Sequence, residues 1–204
     1  MPRLPPLSEA MLDADPIRQF DAWFQRALSE GLKEPTAMTL ATASAAGEPS
    51  ARTVLLKGFD HNGFVFFTNY ESQKGRELTE NPRAALVFFW AELERQVRIS
   101  GEVSHTSSEE SDAYFRTRGT GSQISAVVSR QSEAIASREV LERAWSELME
   151  EYPNGNIPRP ERWGGFRLRA TMLEFWQARP NRLHDRIRYR LQADGSWRIE
   201  RLAP

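Results

Sequence analysis

The sequence is a series of short strand-like segments joined by turns, and this pattern limits the possible folds more than any other feature. Asn62-Gly63 lies between two apolar runs, and this dipeptide is a strong signal for a tight hairpin. A second turn is predicted near Ala46-Gly47. The predicted strands cover residues 37–43, 50–59, 64–68, 84–90, 96–104, 163–169, 172–177, 186–191 and 197–202. Hairpin-like connections favour an antiparallel sheet over a doubly wound parallel one.

Helical segments interrupt the strands rather than alternating with them. Asp15-Pro16 is typical of a helix start, and apolar residues follow at helical spacing until Gly31. A short helix is predicted over residues 72–81, and residues 107–152 are helical in character. This arrangement predicts an α+β, mainly β fold: an antiparallel β-barrel with peripheral helices.

The N-terminal residues differ from the rest of the chain. Residues 1–14 are rich in proline and are predicted to form an arm without regular structure. No repeat or composition change divides the remainder, so residues 15–204 are predicted to form a single domain.

Charge and composition exclude several classes of protein. Lys plus Arg number 27 and Asp plus Glu number 28, so the net charge of −1 argues against nucleic-acid binding. The chain has no cysteine, and its three histidines, His61, His105 and His184, lack metal-ligand spacing, so no metal site is expected. No apolar run is long enough to span a membrane, which makes a cytoplasmic protein the default expectation.

Two clusters have the character of anion sites. Lys74 stands at the start of the helix predicted after Ser72, where free N–H groups and the helix dipole favour a phosphate. Arg118 and Ser122 flank two glycines that would let the backbone approach an anion closely. Two such sites in a chain of neutral charge suggest two phosphorylated small molecules.

The stretch from Pro180 to Tyr189 is rich in polar and basic groups. In an extended chain Arg182, His184 and Arg186 would point the same way, while Leu183 and Ile187 would face the core. A solvated edge strand is the alternative interpretation. The strand at residues 84–90 is almost wholly apolar, which predicts burial on both faces, with its aromatic side chains in the core.

A family resemblance rests on many short segments that occur in order from about Asp15 to the last residue. The segments are Arg52-Thr-Val-Leu-Leu-Lys57, Phe67-Thr-Asn69, Ser72-Gln-Lys-Gly75, Glu94-Arg-Gln-Val97, Tyr114-Phe115 with Arg118, Ser122-Gln-Ile124, Ser129-Arg-Gln-Ser132, Trp163-Gly-Gly-Phe166, Glu174-Phe-Trp-Gln177, Asn181-Arg-Leu-His-Asp-Arg186 and Arg201-Leu-Ala-Pro204. Together they resemble the pyridoxamine 5′-phosphate oxidase family.

The resemblance implies a split-barrel fold and a homodimer with FMN at the subunit interface. It also implies a reaction: O2-dependent oxidation of pyridoxamine or pyridoxine 5′-phosphate to pyridoxal 5′-phosphate, with hydrogen peroxide as a product and ammonia released from the amine.

The same resemblance assigns roles to individual residues. The implied FMN residues are Arg52, Val54, Leu55, Lys57, Phe67, Thr68, Gln73, Lys74, Gln96, Gln131, Ser132, Trp176 and Arg186. The implied substrate residues are Lys57, Tyr114, Arg118 and Ser122 around the phosphate, with Arg182 and His184 over the ring and the reacting carbon. Arg182 is expected to position that carbon and His184 to orient it; a neutral histidine bonded to backbone is the alternative for His184.

Two departures from the family pattern keep other functions open. Gln73 stands where the family usually has arginine, which removes one cation from the FMN phosphate site, and the segment around it also resembles phenazine-biosynthesis flavin oxidases. The N-terminal arm is short and lacks an obvious Arg/Tyr pair. The alternatives are a phenazine-type FMN oxidase and a non-catalytic flavin- or pyridoxal-phosphate-binding protein.

Overall fold

Nine antiparallel strands form one sheet in the computed structural model, which describes residues 5–204. The strands are β1 Ala37–Ala43, β2 Pro49–Leu55, β3 Gly58–Asp60, β4 Gly63–Asn69, β5 Arg83–Trp90, β6 Arg95–His105, β7 Trp163–Gln177, β8 Asp185–Leu191 and β9 Trp197–Arg201. The helices are α1 Pro16–Ser29, α2 Gln73–Glu80, α3 Ser108–Thr117, α4 Thr120–Val128 and α5 Arg138–Glu151. The predicted antiparallel sheet with peripheral helices is confirmed.

Strand β7 divides the sheet. The strands run in the order β2-β1-β5-β6-β7-β4-β3, and β8 and β9 extend from β7 on a separate branch. One edge of β7 pairs with β6, whereas its other edge pairs first with β4 over residues 163–168 and then with β8 over residues 172–177. The two strands predicted at 163–169 and 172–177 are therefore one continuous strand. The register against β6 shifts between Ser100 and Gly101, which accommodates the irregularity between the two predicted segments.

Helix α1 supplies much of the core beside the sheet. The Asp15 carboxylate accepts a hydrogen bond from the Ile17 N–H at 2.9 Å, which confirms the predicted helix start. The ring of Phe20 is fully buried and makes edge contacts with Phe64, at 4.9 Å between ring centroids. Burying these aromatic side chains is the main source of stability that fixes α1 against the sheet.

The N-terminal arm is more ordered than the sequence predicts. Residues 1–4 lie outside the described residues, and the division into an arm and one domain stays a prediction. Glu9–Met11 forms a 3-10 turn, so the prediction of no regular structure is wrong there. Leu7 is buried, and the backbone carbonyl of Asp13 accepts a hydrogen bond from the Tyr189 hydroxyl at 2.7 Å. These contacts hold the arm against β8.

The prediction that β5 is buried on both faces is wrong. Phe88 and Trp90 are buried, but 62% of the Phe89 side chain is exposed. Successive side chains of a strand point to opposite faces, and only the inner face of β5 packs against the core. The outer face of β5 therefore exposes the aromatic ring of Phe89 to solvent.

Candidate functional site

A cavity of about 910 Å³ lies between β2, β4, the start of α2 and the helices α3 and α4. Thirteen of the residues predicted to bind cofactor or substrate line it: Arg52, Val54, Leu55, Lys57, Phe67, Thr68, Gln73, Lys74, Tyr114, Arg118, Ser122, Gln131 and Ser132. They come from separate parts of the sequence, so the fold brings them together. The other five, Gln96, Trp176, Arg182, His184 and Arg186, are not among the residues that line this cavity.

Lys74 is a buried cation in the first turn of α2. Ser72 begins the helix by accepting a hydrogen bond from the Gly75 N–H, and the Lys74 ammonium then lies 3.0 Å from the Gln131 side-chain oxygen and 3.3 Å from the Thr68 hydroxyl. Within residues 5–204, no carboxylate lies within 4.0 Å of this ammonium. Burial, followed by the nearby charge of Arg52, lowers the pKa of Lys74 to about 8. A bound anion would relieve both effects.

The Glu77 carboxylate orients several polar side chains at the cavity. It accepts hydrogen bonds from Thr42, from Ser50 at 2.6 Å and from the Gln73 side-chain amide at 2.9 Å, and it pairs with Arg52 at 3.4 Å. Burial by itself would raise the pKa of Glu77, but these hydrogen bonds and the charge of Arg52 lower it to about 2. The carboxylate is therefore ionised and holds the Arg52 guanidinium in place.

The sequence analysis did not identify Glu77 as the residue that joins these polar side chains. Thr42 and Ser50 face each other across the β1–β2 ladder, and Glu77 lies one helical turn after Gln73. That i,i+4 spacing was the only local signal, because the pairing of Thr42 with Ser50 depends on the sheet register.

Lys57 reaches the cavity because the predicted strand over residues 50–59 is interrupted. β2 ends at Leu55 and β3 begins at Gly58. The Lys57 N–H donates to the Val65 carbonyl at 2.8 Å, which fixes the backbone in the break. In one regular strand Arg52 and Lys57 would point to opposite faces, whereas the break lets both line the cavity.

Stacked aromatic rings form one wall of the cavity. The rings of Phe67 and Tyr114 lie 4.0 Å apart and nearly parallel, and Trp163 stacks on Phe67 at 5.5 Å. The Arg118 guanidinium lies 4.6 Å from the Trp163 ring centroid and donates to the Ser122 carbonyl at 2.7 Å. Burial lowers the pKa of Arg118. Trp163 was part of a recognised motif but had been given no role; here it supports Arg118.

Three of the remaining predicted residues, Gln96, Trp176 and Arg186, lie on the outer face of the sheet, and Arg182 and His184 lie in the loop before β8. Phe89, Gln96, Trp176 and Arg186 are consecutive partners across β5, β6, β7 and β8, so their side chains share one face. The His184 ring lies 4.7 Å from Trp176. We call these five residues the outer-face patch. A hydrogen bond to the buried Glu174 carboxylate at 2.8 Å orients Arg186 and raises its pKa.

The predicted extended conformation of residues 182–186 is wrong in its first half. Pro180–Arg182 forms a 3-10 turn in which Asn181 and Arg182 have left-handed backbone conformations, with φ of 57° and 62°. Leu183 is consequently exposed instead of facing the core, whereas Ile187 on β8 is buried as predicted. The His184 Nδ1 accepts a hydrogen bond from the Arg179 backbone N–H at 3.1 Å. In the neutral ring this leaves the proton on Nε2.

Two kinds of site are not found among the described residues. No group of three or more His, Asp and Glu side chains within residues 5–204 is placed to hold a metal ion. In the same range, no helix is both long and apolar enough to cross a membrane.

Two family models match most of the chain. Residues 24–150 match the model described as pyridoxamine 5′-phosphate oxidase. Residues 163–204 match the model described as the pyridoxine 5′-phosphate oxidase C-terminal dimerisation region. The two matches together cover both the cavity and the outer-face patch.

Full-length relatives agree with the family models. A pyridoxine/pyridoxamine 5′-phosphate oxidase of Trichormus variabilis is 59% identical over 198 residues, which cover 97% of this chain and 92% of the relative. A protein of the same name from Rubrobacter xylanophilus is 58% identical, over 97% of this chain and 91% of the relative.

Solved structures show the same fold. PhzG from Burkholderia lata 383, in complex with tetrahydrophenazine-1-carboxylic acid, superposes with a TM-score of 0.92 at 32% identity, over 97% of this chain and 98% of that one. A pyridoxamine 5′-phosphate oxidase-related, FMN binding protein from Nostoc punctiforme gives 0.75 at 18% identity, over 95% of this chain and 100% of that one. The fold is therefore the split barrel, and the chain belongs to the pyridoxamine 5′-phosphate oxidase family.

Proposed function

We propose that this chain is an FMN-dependent oxidase that converts pyridoxamine 5′-phosphate and pyridoxine 5′-phosphate to pyridoxal 5′-phosphate with O2. The observation that carries the proposal is one cavity lined by four cations, Arg52, Lys57, Lys74 and Arg118, beside a wall of stacked rings. Two phosphorylated aromatic molecules match that arrangement. The volume falls within the roughly 300–1,000 Å³ typical of small-molecule sites.

The start of α2 fits the FMN phosphate. Lys74 is buried next to a helix N-terminus and makes no ion pair within residues 5–204, which together favour a phosphate over water. Arg52, held by Glu77, adds a second cation, and the Gln131 and Ser132 side chains supply polar groups from the facing loop. When bound, FMN supplies the redox chemistry by accepting a hydride equivalent from the substrate carbon.

Arg118, Tyr114, Ser122 and Lys57 are assigned to the substrate phosphate. Arg118 is fixed by the Trp163 ring below it and by the Ser122 carbonyl, so little conformational freedom remains to be lost on binding. A planar guanidinium donates two parallel hydrogen bonds to a phosphate. These residues bind and orient the substrate, and the water-excluding aromatic wall limits access beside it.

The outer-face patch is assigned to the same active site, contributed by a second copy of the chain. Gln96, Trp176 and Arg186 would contact FMN, Arg182 would position the reacting carbon, and His184 would orient the substrate through the Nε2 proton. The exposed side chains of Phe89, in the patch, and of Leu183, next to His184 in sequence, support a protein contact here, because burying exposed apolar side chains favours association. The family model over residues 163–204 is described as a dimerisation region, which also supports a homodimer.

The first experiment is anaerobic mixing of the FMN-loaded protein with pyridoxamine 5′-phosphate while the absorbance of oxidised flavin is followed. We expect bleaching, and recovery with release of aldehyde and hydrogen peroxide when O2 is admitted. Pyridoxamine without its phosphate is the matched control and should react far more slowly, because Arg118 and Lys57 would have no anion to bind. Flavin that stays oxidised although it is demonstrably bound would contradict the proposal.

A phenazine-type oxidase is the second candidate. The 32% identity and close superposition with PhzG favour it, as does Gln73 in place of the family arginine. The same experiment separates the two candidates, because reduced phenazine precursors, and not pyridoxamine 5′-phosphate, would then bleach the flavin. The relatives at 54–59% identity carry the other name, which makes the vitamin B6 reaction the stronger candidate.

A further inference from the structure

The loop between β7 and β8, residues 178–184, contains an unfavourable backbone segment. Asn181 and Arg182 are consecutive non-glycine residues with positive φ, at 57° and 62°. Left-handed conformations of this kind cost about 1 kcal/mol or more per residue and persist only where surrounding contacts impose them. Arg182 is also the residue assigned to the reacting carbon. Contacts that hold this loop therefore bear on the role assigned to Arg182.

Asp185, the residue directly after this loop, contacts the loop through Arg179. Its carboxylate is buried and joins three separate parts of the chain. One oxygen accepts from the Leu7 backbone N–H at 3.0 Å and pairs with Arg179 at 3.3 Å, and the other accepts from Arg201 at 3.0 Å. The N-terminal segment, the loop and the end of β9 thus meet at one side chain.

Further contacts close this network around the loop. Arg201 donates to the Leu7 carbonyl at 2.6 Å and pairs with Glu9 at 3.2 Å. The buried Gln177 side chain, at the other end of the loop, donates to the Pro5 carbonyl at 2.8 Å. Both ends of the loop are therefore bonded to the segment formed by residues 5–9.

We propose that Asp185 is a positioning residue that couples residues 5–9 and Arg201 to the loop carrying Arg182 and His184. The coupling is specific in its chemistry: a buried carboxylate pairs with two arginines, so replacing it by a neutral group leaves both cations less well held. Arg179 transmits the effect to the imidazole, because its side chain pairs with Asp185 while its N–H donates to His184 Nδ1. The proposal rests on the proposed function, since it assigns Arg182 and His184 to the substrate.

Asp185→Asn is the first test, because asparagine keeps the size and one acceptor oxygen but removes the charge. At saturating pyridoxamine 5′-phosphate, we expect the rate of flavin reduction to fall by about tenfold or more, since small displacements of a positioning group have effects of this size. The FMN dissociation constant should stay within about threefold of the wild-type value, because no residue assigned to FMN is changed. Trypsin should cleave faster after Arg182 in the variant, which reports on the loop independently of activity.

Variants of the partners keep the test decisive if Asp185→Asn folds poorly. Arg201→Gln should slow flavin reduction and speed the cleavage after Arg182, whereas Arg201→Lys, which keeps the cation, should restore much of both. Arg198→Gln is the matched control on the same strand, because Arg198 is exposed and pairs only with Glu200 among the ion pairs observed. Leu7→Pro removes the N–H donor to Asp185, and Leu7→Ala controls for the lost packing.

The outcomes distinguish the coupling from the proposed function. Flavin that is not reduced in the wild-type protein contradicts the proposed function itself. Wild-type reduction with unchanged rates and cleavage in Asp185→Asn and Arg201→Gln overturns the coupling. Equal losses of FMN binding and turnover in these variants would also overturn it, because they would indicate a general structural role.

Discussion

The cavity and the outer-face patch contain similar polar and aromatic side chains, but the fold builds them in opposite ways. The cavity is assembled from one chain, with β2, β4, α2 and the loop at residues 129–132 converging on a buried lysine. The outer-face patch is a row across four neighbouring strands, with Phe89 exposed at its edge. On the proposed assignments, the cavity holds the phosphates, whereas the patch completes the site from a second copy of the chain.

The cations of the two regions also differ in how well the chain itself pairs them. Burial lowers the pKa of Lys74, so this cation is poorly satisfied until an anion binds. A hydrogen bond to Glu174 raises the pKa of Arg186, so that cation is already satisfied within the chain. A change at Lys74 should therefore appear first in FMN affinity, and a change at Arg182, in the loop beside the patch, should appear first in turnover.

The largest expected effect is that of Arg182→Ala on turnover. We expect flavin reduction by pyridoxamine 5′-phosphate to slow by about 10²- to 10³-fold, as for the loss of one donor aimed at a reacting group. FMN affinity should change by less than about twofold, because Arg182 is assigned to the substrate and does not line the cavity that holds Lys74. Stopped-flow reduction and fluorescence titration measure the two quantities. Arg169→Ala is the control, as Arg169 is exposed and pairs with Glu102 outside both regions. Loss of FMN from Arg182→Ala would contradict the distinction between an FMN-binding cavity and a loop that affects turnover.

Lys74→Met should produce the reverse pattern. Methionine keeps the buried aliphatic stem and removes the charge, so we expect FMN binding to weaken by about 10- to 100-fold, the usual value of a charge-assisted hydrogen bond. At saturating FMN, the rate of flavin reduction should be close to that of the wild type. Lys33→Met makes the same change at an exposed lysine and should alter neither quantity. A variant that retains wild-type FMN affinity would remove Lys74 from the phosphate site.

FMN affinity should also depend on pH through Lys74. Its pKa in the free protein is about 8, below the ordinary value of 10.5, so above pH 8 the ammonium must regain a proton when the phosphate binds. We expect affinity to fall by up to about tenfold per pH unit above 8, where the FMN phosphate is already fully ionised.

The stability of the ligand-free protein should change in the opposite direction. Because the folded pKa lies below the unfolded one, protonated Lys74 disfavours folding below pH 8, and this penalty is relieved as the pH rises towards 10.5. Comparison with Lys74→Met isolates both effects from other titrating groups. A wild-type affinity profile that parallels that of Lys74→Met would contradict the assignment.

The smallest effect is expected for Gln73→Arg, which restores the cation that the family usually has. Gln73 is exposed and bonded to Glu77, so solvent screens the added charge and FMN binding should tighten by only about two- to fivefold. Gln25→Arg adds the same charge at an exposed position of α1, outside the cavity, and serves as the control. Weaker binding in Gln73→Arg would indicate that the Glu77 contact matters more than the extra charge.

Local signals in the sequence were sufficient for several elements. The Asn62-Gly63 turn joins β3 to β4, Asp15 and Ser72 begin α1 and α2, and β1 has the predicted bounds. Each of these features depends on residues within a few positions of one another, through a turn conformation, a capping hydrogen bond or a period-two pattern.

Other features depended on contacts between distant residues. The break that admits Lys57 to the cavity, the left-handed pair at Asn181 and Arg182, and the contacts of Glu77 each arise where a neighbouring strand or helix imposes a conformation. The exposure of Phe89 has the same origin, because an apolar strand does not reveal whether its second face will be covered by the same chain.

The sequence by itself determined the order of strands and helices, the family and the identity of the polar residues available for two phosphates. Only the tertiary structure decided which of those residues share one cavity and which lie on another surface. The physical reason is that hydrogen bonding, capping and side-chain alternation are local along the chain, whereas burial, pKa shifts and the sharing of a site depend on residues brought together across the sheet.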